Sequence, residues 1–382
     1  MDLTQLFKFM ADKQASDMYM SANSPVLMKI EGETIPINNQ ILSSEMVKKI
    51  IYSLMSEANI KLFEETMELN FGYGVQDIGK FRINVFRQRG SVAMVARHIA
   101  DTVPTIESLG LPLSLKELVL EKRGLILVVG QTGSGKSSTL AAMLNHRNET
   151  KSGHILMIED PIEFQHPHKK CIVNQREVGI DTLAYESALL NAVRESPDVM
   201  MIGEIRDHAT MLQAMIYAET GHLLLATLHA NNSYHTLNRI INLFPSDARN
   251  NLLHDLSISL KAVVSQRLVR GKNGKRVPAV EVLVNSPYVA ELIKAGETEK
   301  IKEAMEQSIT PGSQTFEQAL FGLYQEGRIS LDEALANSDS PTNLSWLINN
   351  AKANDGDTPA FNPLDTQSMS SFDGFKLNTD KS

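Results

Sequence analysis

The 382-residue chain predicts an α/β fold, a mostly parallel sheet covered by helices and preceded by a smaller α+β domain. Three observations carry this expectation. From Lys122 to about Val284, apolar runs of strand length alternate with helix-length stretches, as a parallel sheet buried on both faces requires. Residues 1–100 are patterned differently, with short segments set between turn residues. Finally, the apolar run Gly124–Val129 leads through a glycine-rich loop into a helical stretch, a strand–loop–helix unit.

In the first domain, 1–100, the apolar spacing from Leu3 to Met10 predicts a helix. Asp17–Met20 and Val26–Ile30 read as short strands around the turn Asn23-Ser24-Pro25. A second helix is expected from about Ser44 to Phe63, behind the capping sequence Ser43-Ser44-Glu45. The alternation Phe81–Phe86 predicts a half-buried strand. Residues 101–115, with Pro104, Gly110 and Pro112, read as a linker, 116–285 as the parallel-sheet core, and 286–347 as a helical region. Residues 348–382 are rich in Asp, Asn, Ser, Gly and Pro with few core formers, so a disordered tail is expected.

Composition narrows the function. With 42% hydrophobic residues the chain can bury a real core, and a net charge of −8 offers a polyanion no overall attraction. A nucleic-acid partner is therefore not expected. Cys171 is the single cysteine, which excludes an internal disulfide and suits a reducing compartment. No apolar run approaches the ~18 residues that span a bilayer, and Met1–Lys13 lacks a secretory signal pattern, so a cytoplasmic protein without membrane insertion is expected.

The chemistry begins at residues 130–137, GQTGSGKS, which match G-x-x-x-x-G-K-[ST] in the strand–loop–helix context the motif needs. Gly133 and Gly135 let the backbone wrap so that amide N–H groups and the positive helix end face phosphates. Lys136 would neutralise the β- and γ-phosphates of ATP, and the Ser137 hydroxyl would ligate Mg²⁺. The expected nucleotide contacts are Gly130, Gln131, Thr132, Gly133, Ser134, Gly135, Lys136, Ser137 and Ser138.

Three further apolar strands run into polar chemistry, as at the carboxyl edge of a parallel sheet. They are His154–Phe164 with Glu159, Asp160 and Glu163, Pro197–Asp207 with Gly203-Glu204, and Gly221–Ala230 with His222 and His229. Hydrolysis needs a carboxylate that polarises water, an acidic group near the metal and a donor that senses phosphate, and these segments supply all three. Taken singly, each has a plainer reading. Glu159 and Asp160 also suit a helix or turn cap, and His222 also suits a structural hydrogen bond.

The ordered series GQTGSGKS, IEDPIEF, SPDVMMIGEIRD and GHLLLATLHA resembles the Walker A, Asp box, Walker B and His box of the secretion ATPases. The segments ASDMYMS, CIVNQREVG (171–179), TLNRIINLFP (236–245) and GSQTFEQALFGLYQEGRIS (312–330) are similar to the PilT/PilU family of type IV pilus retraction ATPases. Residues 226–232 and the tail incline to its accessory-paralogue branch. This resemblance implies a RecA-like P-loop domain behind a PAS-like domain, a homo-hexameric ring, and ATP with Mg²⁺ as ligands. It implies Glu163 as catalytic base, Glu204 as the Mg²⁺-side acid with Ser137, His229 as a γ-phosphate contact and His222 as its support. It also implies that N-terminal-domain arginines, Arg82 and Arg97 being the candidates, reach the nucleotide, although a solvated strand face explains them as well. The implied partners are a PilT-like paralogous ATPase and the inner-membrane platform protein, at the cytoplasmic base of the pilus machine.

Two departures stand out. Residues 288–297, YVAELIKAGE, lack the first and last parts of the family's AIRNLIRE-type helix, and Ser196 replaces a usual acidic residue before Walker B. The rival from another class is a non-hydrolysing subunit that stacks on an active ring and transmits force. His166, His168 and Cys171 offer nitrogen and sulfur close together, but a structural zinc site wants four ligands in recognisable pairs, and a surface loop accounts for them more simply.

Overall fold

The computed structural model describes residues 3–354, with residues 31, 100, 101 and 309 excepted. Its first sheet is antiparallel and has six strands: β1 (Asp17–Met20), β2 (Leu27–Ile30), β3 (Glu33–Pro36), β4 (Glu68–Val75), β5 (Gly79–Gln88) and β6 (Ser91–Ile99). Their spatial order is β3-β2-β1-β6-β5-β4. In β5 the alternation places Phe81, Ile83 and Val85 on the buried face, against Phe7 and Met10 of the helix Leu3–Asp12. The Phe7 and Phe81 rings lie 4.4 Å apart.

The single helix expected over 44–63 is two, Ser44–Tyr52 and Glu57–Thr66. Each has its own serine cap: Ser43 accepts from the Met46 amide and Ser56 from the Asn59 amide, both at 3.2 Å. The second cap restarts the helix and lets the chain turn between them.

The second sheet has seven strands: β7 (Gly124–Val129), β8 (Gly153–Glu159), β9 (Cys171–Glu177), β10 (Val199–Ile202), β11 (Leu223–Leu228), β12 (Leu260–Arg270) and β13 (Arg276–Val284). In the order β13-β12-β7-β11-β10-β8-β9 every pairing is parallel except the β12–β13 hairpin at the edge. Side chains alternate across the sheet, so neighbouring residues feed different cores. Leu125, Leu127 and Val129 pack under the helices Tyr185–Ala192 and His208–Glu219, while Ile126 and Val128 pack against Leu140 and Met143 of the helix Lys136–Thr150. Both faces being covered explains why these strands read as continuous apolar runs.

The span read as a linker is not loose along its whole length. Ile106, Leu111 and Leu115 are buried in the same cluster as Val128 and Leu140. At the other end, the helices Phe316–Gln325, Leu331–Ala336 and Pro341–Asn354 lie on the β12–β13 hairpin, with Phe316, Leu320 and Leu344 against Val269 and Ala279. The last helix runs past residue 348 to Asn354; the remainder of the expected tail, 355–382, lies outside the described residues.

Candidate nucleotide site

The parallel sheet sets five strand ends side by side. Val129, Leu228, Ile202, Glu159 and Glu177 are the last residues of β7, β11, β10, β8 and β9, and the predicted polar segments leave from the first four. A cavity of about 490 Å³ opens above this edge. Lys136, Ser137, Glu163, Glu204 and His229 all line it, together with Thr132, Gly133, Gly135 and Ser138.

The loop after β7 is built for close approach. Gly133 and Gly135 take left-handed φ angles of 78° and 89°, and Gly135 caps the helix Lys136–Thr150, whose first three residues line the cavity. A Cβ on Gly133 would meet nothing within 4 Å, so its backbone stands open, whereas one on Gly130 would come within 2.4 Å of Ser134 Oγ. Lys136 Nζ donates to the carbonyls of Gly130 and Gln131, each at 3.0 Å, which draws the loop around the ammonium. Burial lowers the Lys136 pKa, while Glu204 and Glu163 nearby pull it the other way.

Facing the lysine is an acidic wall. Glu204 is only 17% exposed, and its carboxylate accepts from Arg206 Nε at 2.6 Å and pairs with His229 Nε2 at 2.9 Å. Arg206 also lies 3.6 Å from Asp160. Glu163 is an exposed carboxylate of the loop after β8. Glu159 is buried, and burial raises its carboxyl pKa to about 7 despite hydrogen bonds from Gln175 and the Glu163 amide. The plain capping reading of Glu159 therefore gives way to that of a buried acid in the cavity wall.

An oxygen-rich wall with a hydroxyl at the loop suits a hard divalent cation, for which Ser137 Oγ and the Glu204 carboxylate are the donors at hand. The open Gly133 backbone, the helix N-terminus and Lys136 suit phosphates. The residues present thus fit both Mg²⁺ and a nucleotide.

Several expected contacts need correction. His222 lies at the opposite end of β11, where Gly124 N–H donates to its carbonyl at 3.0 Å, and its ring contacts Thr220 and Tyr217. Seven strand steps separate it from His229, roughly 20 Å, so one cavity does not take both. Arg97 does not line the cavity; its Nε donates to Asp17 Oδ1 at 2.8 Å. Arg82 does not line it either. Gln131 faces away, onto a second cavity of about 670 Å³ bounded by Arg267, Arg270, Arg276 and Glu333. Of the residues set aside as zinc candidates, His168 Nδ1 accepts from the Val173 amide at 3.0 Å and Cys171 Sγ donates to the Lys151 carbonyl at 3.0 Å, while His166 is buried and burial holds its pKa down near 4.

Five residues carry roles that the sequence did not announce. Gln266 of β12 accepts from Thr139 Oγ1 at 2.6 Å, and its Nε2 would lie 2.9 Å from a Cβ on Gly135, so it braces the loop from behind. Tyr185 lines the cavity beside Asp160 and Arg206, with burial first among the causes that raise its pKa. Arg206 sits within the motif itself, GEIRD, and that proximity was the available signal. Gln175 and Glu177 hold the loop bearing Glu163, and nothing local in β9 announces it.

Comparison with known proteins agrees with this geometry. The family model described as "Type II/IV secretion system protein" matches residues 95–343. The chain is 46% identical to the "Type IV pilus ATPase PilU" of Pseudomonas aeruginosa, over 94% of each chain. It is 41% identical to that organism's "Type IV pilus retractation ATPase PilT", over 90% of this chain and all of the relative. The crystal structure of the pilus retraction motor PilT with bound ADP superposes with a TM-score of 0.85 at 40% identity, covering 90% of this chain and 99% of that one.

Proposed function

The chain belongs to the type II/IV secretion system protein family, in its PilT/PilU branch, and from that premise we propose that it is an ATP-hydrolysing motor subunit that powers or assists type IV pilus retraction. The observation that carries the reading is the meeting of Lys136, Ser137, Glu163, Glu204 and His229 around one cavity at the carboxyl edge of a parallel sheet.

Each group has a task in that reading. Lys136 and the amides of 133–137 bind the phosphates, exchanging the loop's own carbonyls for phosphate oxygens on the ammonium. Bound Mg²⁺, held by Ser137 and Glu204, supplies neutralisation of phosphate charge. Glu163 faces the cavity as an exposed carboxylate and takes the proton of the attacking water. Glu204 is already shared between Arg206 and His229, which fits an electrostatic role better than that of a base. His229 is placed to exchange Glu204 for a γ-phosphate oxygen and so report its presence.

Six copies in a ring, a PilT-like paralogue and the inner-membrane platform protein are the partners this function requires, at the cytoplasmic face of that membrane. Among the described residues no helix is long and apolar enough to cross a membrane.

The test is Glu163→Gln, which keeps size and removes the base. ATP affinity should stay within about twofold of wild type while turnover falls at least ~100-fold. Near-normal turnover in this variant, with Glu204→Gln inactive, would move the base to Glu204. A wild-type chain that binds ATP and never hydrolyses it would favour the force-transmitting accessory subunit.

A further inference from the structure

The segment that follows His229 is fastened from two directions. His229 comes directly after β11, and Ala230 alone separates it from Asn231, Asn232 and Ser233, where the helix Ser233–Leu243 begins. Glu281 of β13 pins the helix start. Its Oε1 accepts from the Ser233 amide at 2.8 Å and from Ser233 Oγ at 2.7 Å, with Ser265 Oγ a third donor at 3.1 Å. Ser233, Ser265 and Glu281 are all buried, so water does not compete for this attachment.

The second attachment uses residues outside both the phosphate loop and the acidic wall. Asn232 is the helix N-cap: its side-chain oxygen accepts from the His235 amide at 3.0 Å, and its Nδ2 donates to Asp339 Oδ2 at 3.0 Å. Arg267 of β12 donates through Nη2 to the Asn231 carbonyl at 3.3 Å and pairs with Asp339 Oδ1 through the same nitrogen. Its Nη1 donates to the Asn337 carbonyl at 2.6 Å, and the guanidinium lies over the Phe316 ring, 3.9 Å from the centroid. The Arg267 and Asp339 side chains are 23% and 22% exposed, and a partly desolvated charged pair is worth more than an open surface one.

Asp339 lies between the helices Leu331–Ala336 and Pro341–Asn354, 107 residues along the chain from Asn232. The C-terminal helices are thus bonded to the stretch that carries His229. Gln266, the neighbour of Arg267 in β12, braces the phosphate loop through Thr139. Adjacent residues of one strand therefore serve the lysine side and the histidine side of the site. Before His229, Thr227 Oγ1 donates to the Gly203 carbonyl, which fixes the end of β11 to the Glu204 segment.

We propose that Asp339 is a positioning residue for the nucleotide site: through Asn232 and Arg267 it anchors the segment behind His229 and ties the C-terminal helices to the γ-phosphate contact. The proposal rests on the reading of His229 as that contact. When His229 exchanges Glu204 for a phosphate oxygen, Thr227 on one side and Ser233 on the other stay committed to buried partners. Movement is confined to residues 228–232, and Asn231 and Asn232 hand it to Arg267 and Asp339.

Asp339→Ala removes the anchor, and Asn232→Ser keeps an N-cap oxygen while removing the donor to Asp339. Asn343→Ala is the control, because Asn343 Nδ2 donates to Glu306 Oε1 at 3.0 Å and so ties down the same terminal helix away from Asn232. The first readout is the ratio of affinities for a non-hydrolysable ATP analogue and for ADP, which differ by the γ-phosphate. In both anchor variants that ratio should fall ~2- to 30-fold, the range for residues along a coupled network, with ADP affinity within about twofold of wild type. The double variant should lose no more than the larger single loss, because both break one contact. Asn343→Ala should leave the ratio unchanged. With His229→Ala lowering the ratio, an unchanged ratio in both anchor variants would overturn the proposal. An equal fall in Asn343→Ala would do the same, as would ADP affinity falling as far as that of the analogue. The second readout is backbone hydrogen exchange of residues 229–236 without nucleotide. Both anchor variants should exchange faster there than wild type and Asn343→Ala; equal rates in all four would overturn the anchor. A His229→Ala that keeps the wild-type ratio would end the reading of His229 as the γ-phosphate contact, and the exchange readout, which needs no nucleotide, then decides the anchor alone.

Discussion

Glu159 makes a prediction about pH. Its carboxyl sits at the end of β8, 6% exposed, with Gln175 Nε2 donating to it at 3.0 Å. Burial dominates and raises its pKa from 4.5 to about 7. Between those values the folded chain keeps a proton that the unfolded chain has lost, so folding stability must fall as pH rises. The contribution is fully present below pH 4.5 and fully lost above about pH 7. At 1.36 kcal/mol for each pH unit of difference, the full span is about 3.4 kcal/mol. Roughly 2 kcal/mol of it is gone by pH 6, which leaves about 1.3 kcal/mol to be lost between pH 6 and pH 8. Glu159→Gln keeps an acceptor for Gln175 and abolishes the titration. Denaturant unfolding followed by circular dichroism, on both proteins at both pH values, isolates Glu159 together with its charge coupling to Glu163 and Glu177, because groups that do not interact with it cancel in the difference. The variant should gain about 1 kcal/mol on wild type between pH 6 and pH 8. Parallel pH dependences would refute the argument that burial holds Glu159 neutral.

Two shorter expectations concern the loop. Thr139→Val removes the donor to Gln266 Oε1 in a buried setting, and stranding that oxygen should cost about 1–3 kcal/mol of stability, seen as a lower thermal midpoint. Lys136→Ala should leave the circular dichroism spectrum unchanged and lower ATP turnover far more than tenfold; a smaller loss would mean a barrier change under ~1.4 kcal/mol and a loop that is not the phosphate site.

What could be read from sequence was what is encoded locally. Gly133, Gly135 and Lys136 lie within a few residues of one another, and their roles follow from backbone geometry that the motif itself imposes. The strand ends bearing Glu163, Glu204 and His229 were visible because each follows an uninterrupted apolar run. By contrast, β3 is exposed along its whole length and so shows no burial alternation, while Gly72 and Gly74 interrupt the pattern of β4. The Gln266 brace spans 127 residues from Thr139, and a single buried glutamine in an apolar strand carries no local signal of its partner. His222 illustrates the opposite failure. A histidine at each end of a strand looks like a pair in the linear sequence, yet extended backbone carries the two to opposite edges of the sheet.

The distribution of cores keeps the two sheets in separate apolar clusters. The N-terminal cluster is drawn from Leu6 to Ala96, and the cluster behind the parallel sheet begins at Ile106. Among the described residues, none of the buried hydrophobic clusters joins the two sheets. The segment after residue 101 belongs energetically to the ATPase side, because Ile106, Leu111 and Leu115 are buried there. Movement of the N-terminal domain relative to the parallel sheet therefore need not open any of these buried clusters. The loop carrying Glu163 leaves the parallel sheet at this boundary, with Ile162 and Gln165 on the cleft wall and Glu163 on the wall of the nucleotide cavity. A change in the cleft and a change in the phosphate cavity consequently act on the same few residues, which is the connection a motor needs between hydrolysis and movement.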